Sequence, residues 1–317
     1  MRDYADEANL HARIYAMRSR LLSLADYLSL TRNTDELIHS NAPGAPDDVA
    51  KGETVFKEQI AHIFPLAEAV GIYKPLFLAF LRQFEAFNAK LIFAKAFGLQ
   101  SLEQWYDIGP YAIVESSLLR ETTDLQSIQL LLAGTYLAPA LEDISSYERM
   151  EINVDLCVAR SLYDASALFS HKAKLDYQEL IGRRIAVTSM ILSLRLKQNY
   201  HWDDAKTHEY LTNIYKAFDG NIGLQMKIVE DALDQYLKQT RNGGRQEQSV
   251  DNVEHYLERY YCRLVSAMFH RDFFSIYCVA AYLWLLFYQI RNLFKIIEGR
   301  RFGYSPEHIL SRIVCNN

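Results

Sequence analysis

One local sequence pattern occurs three times in this chain, at intervals of about a hundred residues. The three copies are Asn88–Trp105, Ser189–Lys206 and Asn292–Ile309, and their first residues lie 101 and 103 positions apart. In each copy, apolar residues stand eight and four positions before the first residue, and one and five positions after it. Such a period indicates one structural unit used three times. A chain of this kind is more often a scaffold or an adaptor than an enzyme, because a catalytic site is normally built once.

The recurring pattern predicts a long helix that is buried on two faces. At the helical rotation of about 100° per residue, the two earlier apolar positions share one face, and the two later ones lie near the opposite side. Each copy then reaches a residue that tolerates the left-handed helix end, and a helix-capping residue and a carboxylate follow. The predicted breaks are Gly98, Asn199 and Gly303, the predicted caps are Ser101, Asp203 and Ser305, and the carboxylates are Glu103, Asp204 and Glu307.

The first residue of each copy, which we call the anchor, is the candidate structural site. The anchors are Asn88, Ser189 and Asn292. Because they stand among apolar residues, we predict that the two asparagines lie inside helices and face neighbouring helices. Their side-chain amides are expected to bond to backbone or other polar groups.

The composition predicts an all-α protein. Half of the 317 residues are apolar, and the chain has only 13 Gly and 7 Pro, so helix breakers are few. The repeat suggests three similar helical domains, at residues 1–115, 116–215 and 216–317, with the N-terminal segment attached to the first. Residues 3–31 are predicted to form one amphipathic helix, and the stretch Arg241–Gln248 is predicted to be a flexible surface segment.

Charge and cysteine usage exclude some classes of function. The net charge is −5 and no long basic run occurs, so nothing indicates a nucleic-acid partner. The four cysteines are scattered through helical pattern, which is typical of reduced intracellular thiols rather than of a disulfide framework. They are Cys157, Cys262, Cys278 and Cys315.

One uncharged run has the length of a membrane span. Phe273–Ile290 holds 18 residues without a charge. It also holds three tyrosines, a serine, a glutamine and a cysteine, and it continues directly into the third copy of the repeat. We therefore predict a buried core helix and no direct membrane span. The N-terminus has no apolar core of the signal-peptide type.

No motif of this chain predicts catalysis. Phosphate-binding glycine loops and the nucleophile elbow are absent from the sequence. Glu36-Leu-Ile-His39 matches one half of a di-iron motif, which needs a second copy on a facing helix. His201, Asp204 and His208 share one helical face, but no further ligand completes a metal site. We predict no catalytic, cofactor-binding or metal-binding residue.

Both ends of the chain resemble the C subunit of the rotary A-/V-type ATPases, whose eukaryotic counterpart is the d subunit. The run Ala12-Arg13-Ile14-Tyr15-Ala16-Met17-Arg18-Ser19-Arg20-Leu21-Leu22 is similar to the family's opening helix, with Tyr15 in place of a usual basic residue. Asn292-Leu293 with Ile296-Ile297, followed by Gly303-Tyr-Ser-Pro-Glu307-His-Ile309, resembles its closing repeat. The middle copy departs most, with Thr188-Ser189-Met190 where an Asp-x-Asn-Leu-like run is usual. The length resembles that of a bacterial or archaeal member.

The resemblance implies a non-catalytic coupling protein. Members of that family have three similar helical domains in a pseudo-threefold, funnel-like arrangement. They sit on the cytoplasmic end of the membrane rotor ring, receive the foot of the central stalk, and transmit torque for ATP-coupled ion transport. The implied partners are central-stalk and rotor-ring subunits, with this chain as a monomer in a peripheral hetero-complex.

Two other classes of protein fit an all-helical repeat. A helical adaptor unrelated to ATPases would form an open solenoid with a single concave groove. An all-helical, cofactor-dependent enzyme would show one deep pocket with several converging polar groups.

Overall fold

Helices account for all regular structure in the part of the chain that the structure describes. The computed structural model describes residues 4–32, 48–99, 104–218, 221–242, 249–272 and 274–314. Within these ranges no β-strand occurs, and the elements are α-helices and short 3-10 turns. The all-α class predicted from the scarcity of helix breakers is confirmed.

The helices run in chain order from α1 to α14. Their bounds are α1 Tyr4–Arg18, α2 Leu24–Arg32, α3 Asp48–Ile60, α4 Ile63–Ala69, α5 Lys74–Ala96, α6 Ser116–Glu121, α7 Leu125–Leu132, α8 Tyr147–Asp164, α9 His171–Tyr200, α10 Asp204–Ala217, α11 Asn221–Asn242, α12 Val250–Phe269, α13 Ile276–Arg301 and α14 Pro306–Arg312.

Short polar side chains fix where several of these helices begin. Each accepts a hydrogen bond from a backbone N–H three residues later, which satisfies one of the free donors of the first turn. These N-caps are Asp124 of α7, Ser146 of α8, Asp203 of α10, Ser249 of α12 and Ser305 of α14.

The predicted single helix over residues 3–31 is wrong, because a capping box starts a second helix inside it. The Ser23 N–H donates to the Asp26 carboxylate at 2.7 Å, and the Asp26 N–H donates back to the Ser23 hydroxyl at 3.3 Å. This reciprocal pair is the usual signal for a helix start. It separates α1 from α2.

The chain divides into two compact units. Unit 1 comprises Met1–Leu168 and Leu286–Ile313, and unit 2 comprises Phe169–Leu285 and Val314–Asn317. The boundary between the two sequence ranges passes through α13. The three-domain division at residues 115 and 215 stays a prediction.

Unit 1 is organised around α5, which packs against α8. Apolar side chains of these two helices meet those of α6 and α7 in one core cluster. The largest contributors are Phe93 of α5, Trp105 after it and Met150 of α8. Lys90 of α5 also reaches Asp155 of α8 at 2.6 Å.

Unit 2 is organised around α9, which packs against α10, α11 and α12. Gly182 allows the close approach of α11, because a Cβ at this position would lie 3.0 Å from Gln225 and 3.2 Å from Ile222. A larger residue here would require the side chains of Gln225 and Ile222 to shift.

The uncharged run forms the buried first part of α13. Residues 276–290 are all buried, which confirms the predicted core helix over that part of the run. Phe274 and Ser275 precede the helix, and Phe274 is 71% exposed. Phe273 lies outside the described residues. None of the described helices is both long enough and apolar enough to cross a membrane.

Candidate functional site

The three anchors predicted from the repeat all lie inside long helices and are almost fully buried. Asn88 is in α5, Ser189 in α9 and Asn292 in α13. Their exposed fractions are 2%, 5% and 1%. A buried polar side chain costs free energy unless it is hydrogen-bonded, so each position requires an explanation. Their role as equivalent anchors of a repeat stays a prediction.

Asn88 holds the backbone of the segment that follows its own helix. Its amide Nδ2 donates to the carbonyl of Tyr106 at 2.7 Å, and the Tyr106 N–H donates to Asn88 Oδ1 at 2.9 Å. Residues 104–108 are not helical, so their backbone groups lack helical partners. The side chain of Asn88 supplies both partners for one of these residues.

Glu85 binds the backbone of the same segment seven residues after Tyr106. The N–H of Ile113 donates to Glu85 Oε1 at 2.6 Å. Positions 85 and 88 are three apart on α5 and therefore lie on one face of the helix. Asn88 and Glu85 together fasten residues 104–115, which we call the return segment, to α5.

An aromatic cluster surrounds the fastened end of the return segment. The ring of Tyr106 packs at 5.2 Å from Phe56, 5.8 Å from Phe84 and 5.3 Å from Phe294, measured between ring centroids. Burial, with a smaller contribution from Glu298, raises the pKa of Tyr106 to about 12. Tyr106 is therefore neutral at physiological pH and serves as a packing element.

A buried charge network lies in α9, near the second anchor. Arg184 pairs with Glu258 of α12 at 2.7 Å, and the two side chains are only 10% and 7% exposed. The Arg184 guanidinium also lies over the ring of Trp284, 4.9 Å from its centroid. Arg183 donates to Gln225 of α11 at 2.7 Å and to the hydroxyl of Tyr260 at 2.8 Å. These two arginines join α9 to three other helices of unit 2.

The third anchor belongs to the part of α13 against which α14 packs. Lys295 donates to the backbone carbonyl of Arg312 at 2.8 Å. A Cβ on Gly299 would lie 2.7 Å from Cγ1 of Ile309, so the glycine allows α14 to approach α13 closely. In the first and third copies, a polar side chain of the long helix thus bonds to the backbone of the chain that follows.

All three repeat helices end in a left-handed residue. The residues are Gly98, His201 and Gly303, with φ of 72°, 55° and 72°. A backbone bond from the next residue closes each end: Leu99 N–H to Ala94 at 2.8 Å, Trp202 N–H to Leu196 at 3.2 Å, and Tyr304 N–H to Gly299 at 2.8 Å. Such bonds satisfy carbonyls that a helix end leaves free.

The predicted break at Asn199 is wrong, because α9 continues to Tyr200 and His201 takes the left-handed conformation. Histidine tolerates this conformation better than most residues with a Cβ. The next residue, Trp202, is buried and packs edge-on against Tyr210 at 6.2 Å between ring centroids. This apolar contact favours a helix end two residues later than the asparagine.

The predicted caps at Asp203 and Ser305 are confirmed, with Pro306 at the first position of α14. Asp204 pairs with Lys197 at 2.6 Å, and Glu307 is exposed. Ser101 and Glu103 lie outside the described residues.

The candidate metal ligands of the sequence do not converge in the part of the chain that is described. His201 is exposed and follows the last residue of α9, Asp204 forms an ion pair with Lys197, and His208 is exposed on α10. No group of three His, Cys, Asp or Glu side chains that could hold a metal ion occurs among the described residues. The pair Glu36 and His39 lies outside them.

Three of the cysteines are buried and form no disulfide: Cys157, Cys262 and Cys278. Burial raises the pKa of Cys157 to about 11, which makes the reactive thiolate rare at neutral pH. Cys315 lies outside the described residues.

Two features were not predicted from the sequence: the hydrogen bond of buried Glu85 to Ile113, and the buried ion pair of Arg184 with Glu258. One signal was available for both: each involves a charged residue beside apolar residues in a helical pattern, as in Phe84-Glu85-Ala86 and Arg184-Ile185. A charge at such a position is rarely buried without a partner.

Comparison with known proteins supplies the family. A family model described as the ATP synthase (C/AC39) subunit matches residues 10–312. The match includes all three copies of the repeat. No curated protein matches the chain.

Proposed function

The chain belongs to the family of C/AC39 subunits of ATP synthases, and from this premise we propose that it is the non-catalytic rotor cap of a V-/A-type ATPase. In this role it links the central stalk to the membrane rotor ring and passes torque between them. Its partners are then the central-stalk and rotor-ring subunits, with one copy of this chain in a hetero-complex. The complex holds it at the inner face of the membrane, on the cytoplasmic side.

The family match over residues 10–312 carries this proposal. A match to a single motif could also occur in a helical adaptor that is unrelated to ATPases. A match that includes the opening helix, all three repeat copies and α14 supports the same role for the whole chain.

The helices offer a physical basis for torque transmission. The three repeat helices contain 23, 30 and 26 residues, which at about 1.5 Å per residue makes each roughly 35–45 Å long. Their buried polar side chains are fastened to neighbouring elements, as with Asn88 to Tyr106 and Arg184 to Glu258. Packed and cross-linked helices resist bending, because close-packed interiors transmit strain.

The test is assembly from purified parts. The chain alone should show no ATPase activity, and it should bind both the central-stalk complex and the rotor ring from its own source. Contacts able to carry torque should bury at least about 1,200–2,000 Å². Binding to neither part would reject the rotor-cap proposal and favour the helical adaptor. ATP hydrolysis by the chain alone would favour the enzyme.

A further inference from the structure

Glu85 is a buried carboxyl group that the proposed function does not use. It is 4% exposed. Its Oε1 accepts from the Ile113 N–H at 2.6 Å, and the neighbouring Val114 N–H also favours the ionised form. Its other oxygen, Oε2, is buried and has no hydrogen-bond partner among the described residues. An ionised carboxylate held in this way is costly, because half of its hydrogen-bonding capacity is unused.

The neighbouring cation is directed at other groups. Arg82, one turn earlier on α5, lies over the ring of Tyr136 at 5.1 Å and reaches the Ser161 hydroxyl at 3.3 Å. The Tyr136 hydroxyl donates to the backbone carbonyl of Arg82 at 2.8 Å. The positive charge of Arg82 therefore favours the ionised form of Glu85, but Arg82 donates no hydrogen bond to Oε2.

We propose that Glu85 is a proton-controlled latch on the return segment. The segment is held firmly to α5 when this carboxyl group is neutral, and it opens more readily when the group is ionised. The segment ends at residue 115, the predicted boundary between the first and second repeats. The protonation state of Glu85 therefore controls how stably the chain leading to this boundary is bound to α5. The inference goes beyond the proposed function and does not depend on it.

The direction follows from burial. Desolvation raises the pKa of Glu85, and the two backbone N–H groups and Arg82 lower it by less. A carboxyl group whose pKa is higher in the closed state than in water binds its proton more tightly there. Its stabilising effect is present below the pKa of the water-exposed group and is lost as pH rises through the closed-state pKa. Raising the pH therefore shifts the segment toward opening, which exposes the carboxylate to water.

The other ionisable groups near Glu85 include Arg82, Tyr136 and Cys157. Burial, with Glu85 adding to it, raises the pKa of Tyr136 well above its usual value. Cys157 of α8, which faces Tyr136, has a pKa of about 11. Because burial raises the pKa of Glu85, this carboxyl group changes charge at a higher pH than an ordinary water-exposed glutamate does.

The test is amide hydrogen exchange of the full-length chain, read at Ile113 and Val114 and corrected for the intrinsic effect of pH. Protection should fall on the order of tenfold between about pH 4.5 and pH 8. Glu85→Gln, which cannot ionise, should remove this dependence. Glu121→Gln, which removes an exposed carboxylate of nearby α6, should keep it.

Two results would overturn the proposal. One is constant protection of Ile113 and Val114 across this range in the unmodified chain. The other is an unchanged pH dependence in Glu85→Gln. If that variant does not fold, the carbon-13 carboxyl shift of Glu85 in the unmodified chain decides: titration at an ordinary glutamate pKa contradicts the latch, and titration above it supports the latch.

Discussion

At the scale of single residues, the polar side chains buried in the long helices fill structural roles that an apolar side chain could not fill. Asn88 serves two backbone groups of Tyr106, and Arg184 is enclosed by Glu258 and Trp284. Removing one partner of such a contact leaves the other buried and unpaired, which costs more than the contact itself contributes.

Replacing an anchor asparagine tests this reasoning. Asn88→Leu and Asn292→Leu should each lower the free energy of unfolding by about 1–3 kcal/mol, because buried polar partners lose their bonds. Urea unfolding measures the change. Asn213→Leu, on the exposed side of α10, is the control and should stay within about 0.5 kcal/mol of the original. An unchanged midpoint for both anchor variants would contradict the structural role of these positions.

Two ion pairs between the same helices provide a matched comparison. Breaking the buried pair with Arg184→Met or Glu258→Leu should cost about 3–5 kcal/mol, and the double variant should cost less than either single one. The pair Arg195–Glu254 also joins α9 to α12, at 2.6 Å, but Arg195 is 44% exposed. Breaking it should cost under about 1 kcal/mol. Equal costs for the two pairs in a double-mutant cycle would show that burial is not the cause.

At the scale of elements, helix ends were predictable where one residue type decides them. Gly98 and Gly303 were identified from the sequence, because glycine adopts positive φ without strain. The end of α9 was placed two residues early, because the burial of Trp202 against Tyr210 decides it and that contact is tertiary. The Ser23–Asp26 capping box, in contrast, is local and its residues are visible in the sequence, but the predicted single helix over residues 3–31 overlooked it.

The packing of α14 on α13 can be tested at Gly299. Alanine has the higher helix propensity by about 1 kcal/mol, but its Cβ would lie 2.7 Å from Ile309. Gly299→Ala should therefore destabilise the protein by about 1–3 kcal/mol, because overpacking outweighs propensity. In an Ile309→Ala background the same change should be neutral or stabilising, which thermal unfolding measures. A loss of equal size in both backgrounds would mean that the contact with Ile309 is not the cause.

At the scale of the whole molecule, the class of fold could be predicted from the sequence, whereas the polar contacts between distant helices could not. Scarce helix breakers and a period near one hundred residues were enough to predict an all-α chain and its three longest helices. The partner of Arg184 could not be predicted, because Glu258 is 74 residues away and only packing brings α9 and α12 together. The same holds for Glu85 and Ile113, since the return segment has no periodic pattern to reveal its path.

A rotor cap is needed to couple ATP hydrolysis to ion pumping, and this coupling can be measured. Rotor ring, catalytic head and stalk subunits are reconstituted in vesicles with and without this chain, and the ions pumped per ATP hydrolysed are compared. The rotor-cap account predicts efficient pumping only when the chain is present, with hydrolysis continuing but uncoupled when it is left out. Equal pumping per ATP with and without the chain would contradict the account.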